Sequence, residues 1–406
     1  MRASQETHPC SQKDHSNSPN QVRSGELPSR LLALKYGADL VWGPETVDKS
    51  MIGTTKRFNA ITSTIDFTRL SSNSSRPQPA VQKEGLIYRL HPEREKGKLI
   101  FQIGTASPET AVAAAKLVAE NVAGIDVNAG CPKPFSTSGG MGAALLQTPD
   151  LLASILTALV KEVGEVYEIG ISVKIRLLET SEKTESLVRE LCSTGITGLT
   201  IHCRTTPMRP RERAIRDQLR MIADICREKG VACLMNGDVK NRDEALQLVQ
   251  EYRVDGAMIA TAAEANSSVF RTQEEGGLLP WKEVVLEYVK TALEVENKWG
   301  NTKFLLSQLM PGKAEVYRRV VGCKSYRQVC EVLELDDLAD LAKEVDERIG
   351  IDEGKETKAM KKAKYQNKSA LAAGGEMSTQ RYMKKEKRSC ISERGVGKPA
   401  MPAMTA

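Results

Sequence analysis

Between residues 38 and 261, short apolar runs alternate with amphipathic stretches of helical period. The runs are ADLVW (38–42), LIFQIG (99–104), GIDVNAG (124–130), ISVKIRL (171–177), GLTIHCR (198–204), VACLMNG (231–237) and GAMIAT (256–261). Between them lie segments such as PETAVAAAKLVAE (108–120), with Pro108 in the first turn, Glu109 beside it and apolar residues at helical spacing. This repetition predicts an α/β fold in which right-handed crossovers join a parallel sheet. Seven runs are one short of a closed TIM (β/α)8 barrel. The eighth should precede the helix PSRLLALKYG (28–37), but SNSPNQVRSGEL (16–27) offers only one strong β-former, Val22. An open doubly wound sheet would accommodate seven strands. No GxGxxG follows any run, however, and polar residues collect at the carboxyl ends of the runs. A barrel with a defective or missing first strand is therefore expected.

After Thr261 the pattern becomes helical only, with amphipathic segments separated by Gly300, Pro311, Gly312 and Gly322. The expected organisation is an atypical, disordered N-terminus (1–26), a barrel (27–274), a small helical domain (275–350) and a disordered basic tail (351–406). The Ser-, Asn- and Pro-rich stretch 71–82 reads as a surface excursion.

Charge sharpens this division. The chain carries a formal +6, yet residues 351–406 hold 13 Lys and Arg against 6 Asp and Glu, leaving the first 350 residues near −1. The basic character belongs to the tail. No apolar stretch approaches the roughly 20 residues of a membrane span. The polar first 20 residues lack the features of a secretory or transit peptide, so a cytoplasmic location, with the nucleus as a second site, is expected. Nine cysteines without CxxC or Cys/His clustering read as free thiols, with neither a disulfide framework nor a metal site.

Alternation along the strands then picks out candidate chemistry. In ISVKIRL, Val173, Ile175 and Leu177 share one face, leaving Lys174 and Arg176 on the other. In the next run Leu199, Ile201 and Cys203 are outward, with His202 and Arg204 inward. Gln102, Asp126, Asn128 and Asn236 take inward places on their own strands. Converging at carboxyl strand ends, these residues make a polar, cation-bearing pocket suited to a planar anionic cofactor with a phosphate, such as FMN. Lys174 suits the ring edge where negative charge develops on reduction. The seventh and eighth strand ends, NGDVKN (236–241) and MIATAAEAN (258–266), stand where this architecture commonly binds phosphate.

The segment NAGCPKPFSTSGGMGAALL (128–146) places Cys131 directly after a strand, between prolines and a Gly-rich loop. A thiol exposed at the barrel mouth is expected, protonated at neutral pH and able to donate its proton.

Together these strings resemble the tRNA dihydrouridine synthase family, FMN-dependent (β/α)8 enzymes that reduce a uridine of tRNA with NADPH or NADH. The resemblance runs from about residue 27 to 350. It is carried by LPSRLLALKYGADLVWGPETVDK, FQIGTASPETAVAAA, IDVNAGCPKPFSTSGGMGAALL, SVKIRLL, LTIHCRTTPMRPRERA and NGDVKNRDEA. MGAALL, HCRTTPMRPRERA and NTKFLLSQLM are similar to the eukaryotic subfamily acting at position 20 of the D-loop. The resemblance implies that Cys131 protonates uracil C5 while hydride reaches C6. It implies that Gln102, Lys174 and His202 contact the flavin ring, and that Asn236, Gly237, Asp238, Ala260 and Thr261 hold the ribityl phosphate. Asn128, Arg176 and Arg204 would lie by the cofactor or target base, the helical domain would grip tRNA, and the protein would act as a monomer. Two features depart from the family pattern: the first strand, where residues 1–21 read as a substituted N-terminus, and Thr261, where the family has Arg. They leave a second reading, an FMN-deficient, inactive tRNA-binding form. A third, another FMN barrel oxidoreductase such as a dihydroorotate dehydrogenase, lacks the helical domain and the CPKPFSTSGG loop.

Overall fold

The computed structural model describes residues 25–70, 84–209, 211–312 and 314–351, together with the backbone of Arg2–Gln5. Eight parallel strands close into a barrel: β1 (Arg2–Gln5), β2 (Leu40–Trp42), β3 (Leu99–Gly104), β4 (Gly124–Ala129), β5 (Gly170–Leu177), β6 (Gly198–Thr205), β7 (Ala232–Asn236) and β8 (Gly256–Ile259). Each strand pairs with the next, and β1 joins β8 to β2, closing the ring.

The first strand is present as a short one. Its four residues pair along Gly256–Ile259 and two of them along Leu40 and Val41. It comes from a polar stretch upstream of 16–27, where hydrophobic patterning gives no signal, because a parallel ladder is built from backbone groups alone. The remaining N-terminal residues, 6–24, lie outside the described residues, as do the 71–83 loop and the tail from 352.

The expected two-sided burial of the strands is observed. Outward Val173, Ile175, Leu199 and Ile201 are buried in one cluster with Leu187 and Leu191 of the helix Ser181–Cys192 and Ile222 of the helix Leu219–Glu228. Inward Trp42, Ile100 and Met258 form a separate apolar cluster with Leu40 and Leu234 inside the barrel. Each such aliphatic side chain contributes about 1.5–3 kcal/mol by leaving water. The polar inward residues share the barrel interior with this cluster and lie toward the carboxyl ends of their strands.

Between β2 and β3 the chain inserts an antiparallel sheet of Thr55–Asn59, Thr64–Leu70 and Glu84–Leu90. Buried Arg30, on the helix Leu27–Lys35, makes a two-pronged ion pair with Glu95 and also donates to the carbonyls of Gly25 and Arg89. Arg89 in turn pairs with Asp66 and reaches the carbonyl of Val295, tying the inserted sheet to the helical region. That region comprises Trp281–Glu294, Trp299–Leu309, Tyr317–Gly322, Tyr326–Val332 and Ala339–Arg348. Buried Tyr326 anchors it, its hydroxyl donating to Asn297 O at 2.8 Å. The barrel, the inserted sheet and the helical region belong to one compact unit that ends at Ile349. No helix among the described residues is long and apolar enough to cross a membrane.

Candidate active site at the barrel mouth

Strand register sorts the inward polar residues into rows, since partners across a parallel ladder share a face. Gln102, Asp126 and Ser172 are successive partners on β3, β4 and β5. One step higher, Asn128, Lys174 and Thr200 align on β4, β5 and β6. Above them come Arg176, His202, Asn236 and Met258 on β5 to β8. Gln102, Asn128, Lys174, Arg176, His202 and Asn236 are all buried, so the structure brings these six together.

Hydrogen bonds fix their orientations. Asp126 accepts from Gln102 Nε2 at 2.9 Å and from Ser172 Oγ at 2.7 Å, and Gln102 Oε1 accepts from Asn128 Nδ2 at 3.4 Å. Asn128 Oδ1 accepts the amides of Gly130 and Cys131 at 2.9 and 3.2 Å. Arg176 donates Nε–H to Gly130 O at 2.7 Å and Nη1–H to Thr205 O at 3.0 Å. Asn128 and Arg176 thus clamp the backbone that delivers Cys131.

Cys131 itself is buried at 7% exposure, which corrects the expectation of an exposed thiol. The chain after it folds back: Ala143 donates its amide to Cys131 O at 2.8 Å, and Ser136 is buried in the short helix Pro134–Thr137. Gly142, at φ +59°, makes this return possible, because a Cβ there would lie 2.6 Å from Cys131 O. On the outer face of β6, desolvation pushes the buried Cys203 thiol up to about 12.

At the end of β7 the chain turns through left-handed Gly237 (φ +125°) and Asp238 (φ +53°). Burial opposes the Asp238 charge, but hydrogen bonds from Arg204 and the Ala214 amide, with the charges of Arg204 and Arg216, hold its carboxyl below the usual range. Arg204 also donates to Glu212 O at 2.8 Å and contacts His202 Nε2 at 3.3 Å. Asn236 donates Nδ2–H to Met258 O at 3.1 Å, while its buried Oδ1 has no hydrogen-bond partner among the described residues. Such an acceptor costs about 1–3 kcal/mol unless a ligand or water donates to it. Buried Ala260 precedes the five-residue helix Thr261–Ala265, which exposed Thr261 begins.

Asp126, expected among the inward polar residues but given no role, orients Gln102 as described. One acid was missed altogether. Glu45, buried in the link after β2, accepts from Ser136 Oγ at 3.4 Å. Its only sequence signal is an acid held by Gly43 and Pro44 just past a strand end.

A closed parallel barrel with a buried, clamped thiol and rows of inward polar and cationic groups at its carboxyl mouth is the arrangement of a (β/α)8-barrel enzyme. Residues 39–334 match the family model for dihydrouridine synthase, and the chain belongs to this family. It is 49% identical over 320 residues to the tRNA-dihydrouridine(20) synthase [NAD(P)+] of Schizosaccharomyces pombe, covering 78% of this chain and 64% of that protein. The protein of the same name from Saccharomyces cerevisiae is 44% identical over 319 residues, covering 77% of this chain and 81% of that one. The tRNA-dihydrouridine(20a/20b) synthase [NAD(P)+] of Saccharomyces cerevisiae is 26% identical over 249 residues, covering 61% of this chain and 60% of that one.

Proposed function

We propose that this chain is a flavin-dependent tRNA-dihydrouridine synthase that reduces a D-loop uridine, U20, at the expense of NADPH or NADH. The position is supported by identity: 44% to the position-20 enzyme of Saccharomyces cerevisiae against 26% to the 20a/20b enzyme of the same organism. The chemistry rests on one observation, a thiol held at the mouth of the barrel by Asn128 and Arg176.

The residues present fit FMN. The orphaned Asn236 Oδ1 offers an acceptor to a polyhydroxylated chain, and buried Lys174 offers a cation to an electron-accepting ring. Gln102 and His202 would hold that ring, and Asn236, Gly237, Asp238, Ala260 and Thr261 the ribityl phosphate. When bound and reduced by NADPH or NADH, FMN would supply the hydride that adds to C6 of uracil.

Cys131 supplies the proton. Its S–H bond breaks as a C5–H bond forms, leaving a thiolate that takes up a proton before the next turnover. Asn128 and Arg176 keep this loop in register with the base, which must leave its stack to reach the mouth. The competing reading, an FMN-deficient tRNA-binding form, drew on a missing first strand and on Thr261. The pairing of Arg2–Gln5 with both neighbours supplies a short first strand, with a sequence that still departs from the family pattern.

Cys131→Ala tests the assignment. The variant is expected to purify with flavin bound and to lose uridine reduction at saturating tRNA. Activity equal to the parent would contradict it.

A further inference from the structure

The segment that follows β6, TTPMRPRERAIRDQ (205–218), is not accounted for by the chemistry above. It stands at the carboxyl end of a barrel strand, on the face that carries Cys131. It is tethered to that face on several sides: Ile215 N–H to Cys203 O at 2.7 Å, Arg204 Nε–H to Glu212 O at 2.8 Å, and Ala214 N–H to Asp238 Oδ2 at 2.7 Å. Arg216 Nη2 adds contacts of 3.1 Å to the carbonyls of Gly237 and Asp238.

The arginines here fall into two sets. Arg216, and Arg220 and Arg227 beyond it, donate to carbonyls of the chain. Arg209, Arg211 and Arg213 do not. All three are exposed, and among the described residues their side chains form no ion pair or hydrogen bond. A near-neutral body that must hold a polyanion has to concentrate its cations locally, and guanidinium groups match phosphate in a two-pronged geometry.

From this, and resting on the functional reading above, we infer that the loop is a phosphate clamp. Arg209, Arg211 and Arg213 grip the tRNA backbone flanking the target uridine, and Arg204 and Asp238 hold the loop at the edge of the cofactor site. The clamp is sequence-independent, since its contacts are to phosphates. Its anchoring to Asp238 ties the position of the strand to the turn that receives the cofactor.

The test uses the full-length, flavin-loaded protein and an unmodified tRNA transcript. Equilibrium binding and dihydrouridine formation are measured across ionic strength for the parent, for R209Q/R211Q/R213Q and for R209K/R211K/R213K. The glutamine variant is expected to bind the transcript on the order of tenfold more weakly. Its log–log salt slope should be shallower by about 2, the value for three single-strand phosphate contacts. It should keep its flavin and its KM for NADPH. The lysine variant should recover most of the binding. An unchanged tRNA affinity and salt slope would overturn the inference, as would a loss confined to the KM for NADPH. A parent protein that binds the transcript through these arginines yet makes no dihydrouridine would overturn the functional reading and leave the clamp standing.

Discussion

Arg176 and Gly130 are joined by a 2.7 Å hydrogen bond from the guanidinium Nε–H to the carbonyl oxygen, linking β5 to the residue just before Cys131. With Asn128 accepting the Gly130 and Cys131 amides, the backbone that carries the Cys131 thiol is held by two neighbouring strands at once. A buried cation here therefore positions the chain itself.

Arg176→Ala should consequently lower kcat with flavin still bound. A displacement of the thiol by about 1 Å is enough for a loss on the order of a hundredfold. Single-turnover measurement of dihydrouridine formation at saturating tRNA checks this, and an unchanged rate would show that the loop keeps its place without the bond.

Gly142→Ala should be damaging despite its small size. The added Cβ would meet Cys131 O at 2.6 Å and crowd Ser136 Oγ, at a backbone angle that L side chains rarely adopt. Destabilisation of at least about 1 kcal/mol is expected in urea unfolding, together with loss of turnover. Gly312→Ala, where the backbone is not left-handed and a Cβ meets nothing within 4 Å, should be close to neutral.

Glu95→Gln leaves the buried Arg30 guanidinium without its counter-charge and should destabilise the protein by about 3–5 kcal/mol. Replacing both partners, Arg30→Met with Glu95→Leu, should recover much of that loss. Denaturant midpoints of Glu95→Gln and of the double variant, each against the parent, decide the point.

The Asp238 carboxyl titrates below its ordinary range, so the folded state holds its proton less tightly than the unfolded chain does. Its contribution is full above the unfolded pKa of about 3.9 and is lost as pH falls through the folded value. Asp238→Asn should thus lower the melting temperature by a constant amount above about pH 5, with the difference shrinking in stronger acid. A difference that grows on acidification would contradict this sign.

Much of the site was legible because period-two alternation on strands buried on both faces leaves few readings: Lys174, Arg176 and His202 could only point inward once Val173, Ile175 and Ile201 were assigned to the outer core. The burial of Cys131 was not legible, since it depends on residues 136–143 folding back, a tertiary event set by Gly142 and the Ala143 amide. Arg2–Gln5 carries no apolar pattern, and its place is set by backbone pairing with β8 and β2. The inserted sheet was missed for a similar reason: in Thr55–Asn59 four of five side chains are exposed, so no face is marked as buried. Glu45 stood as a lone acid until the fold brought Ser136 to it.

The central claim, that this chain reduces one uridine of the tRNA D-loop, is tested most directly by incubating the purified protein with an unmodified tRNA transcript and NADPH and mapping the product by mass spectrometry. A gain of two hydrogens confined to the uridine at position 20, abolished by Cys131→Ala, is the predicted result. A transcript left unchanged by flavin-loaded protein, or reduced only at another position, would contradict the account.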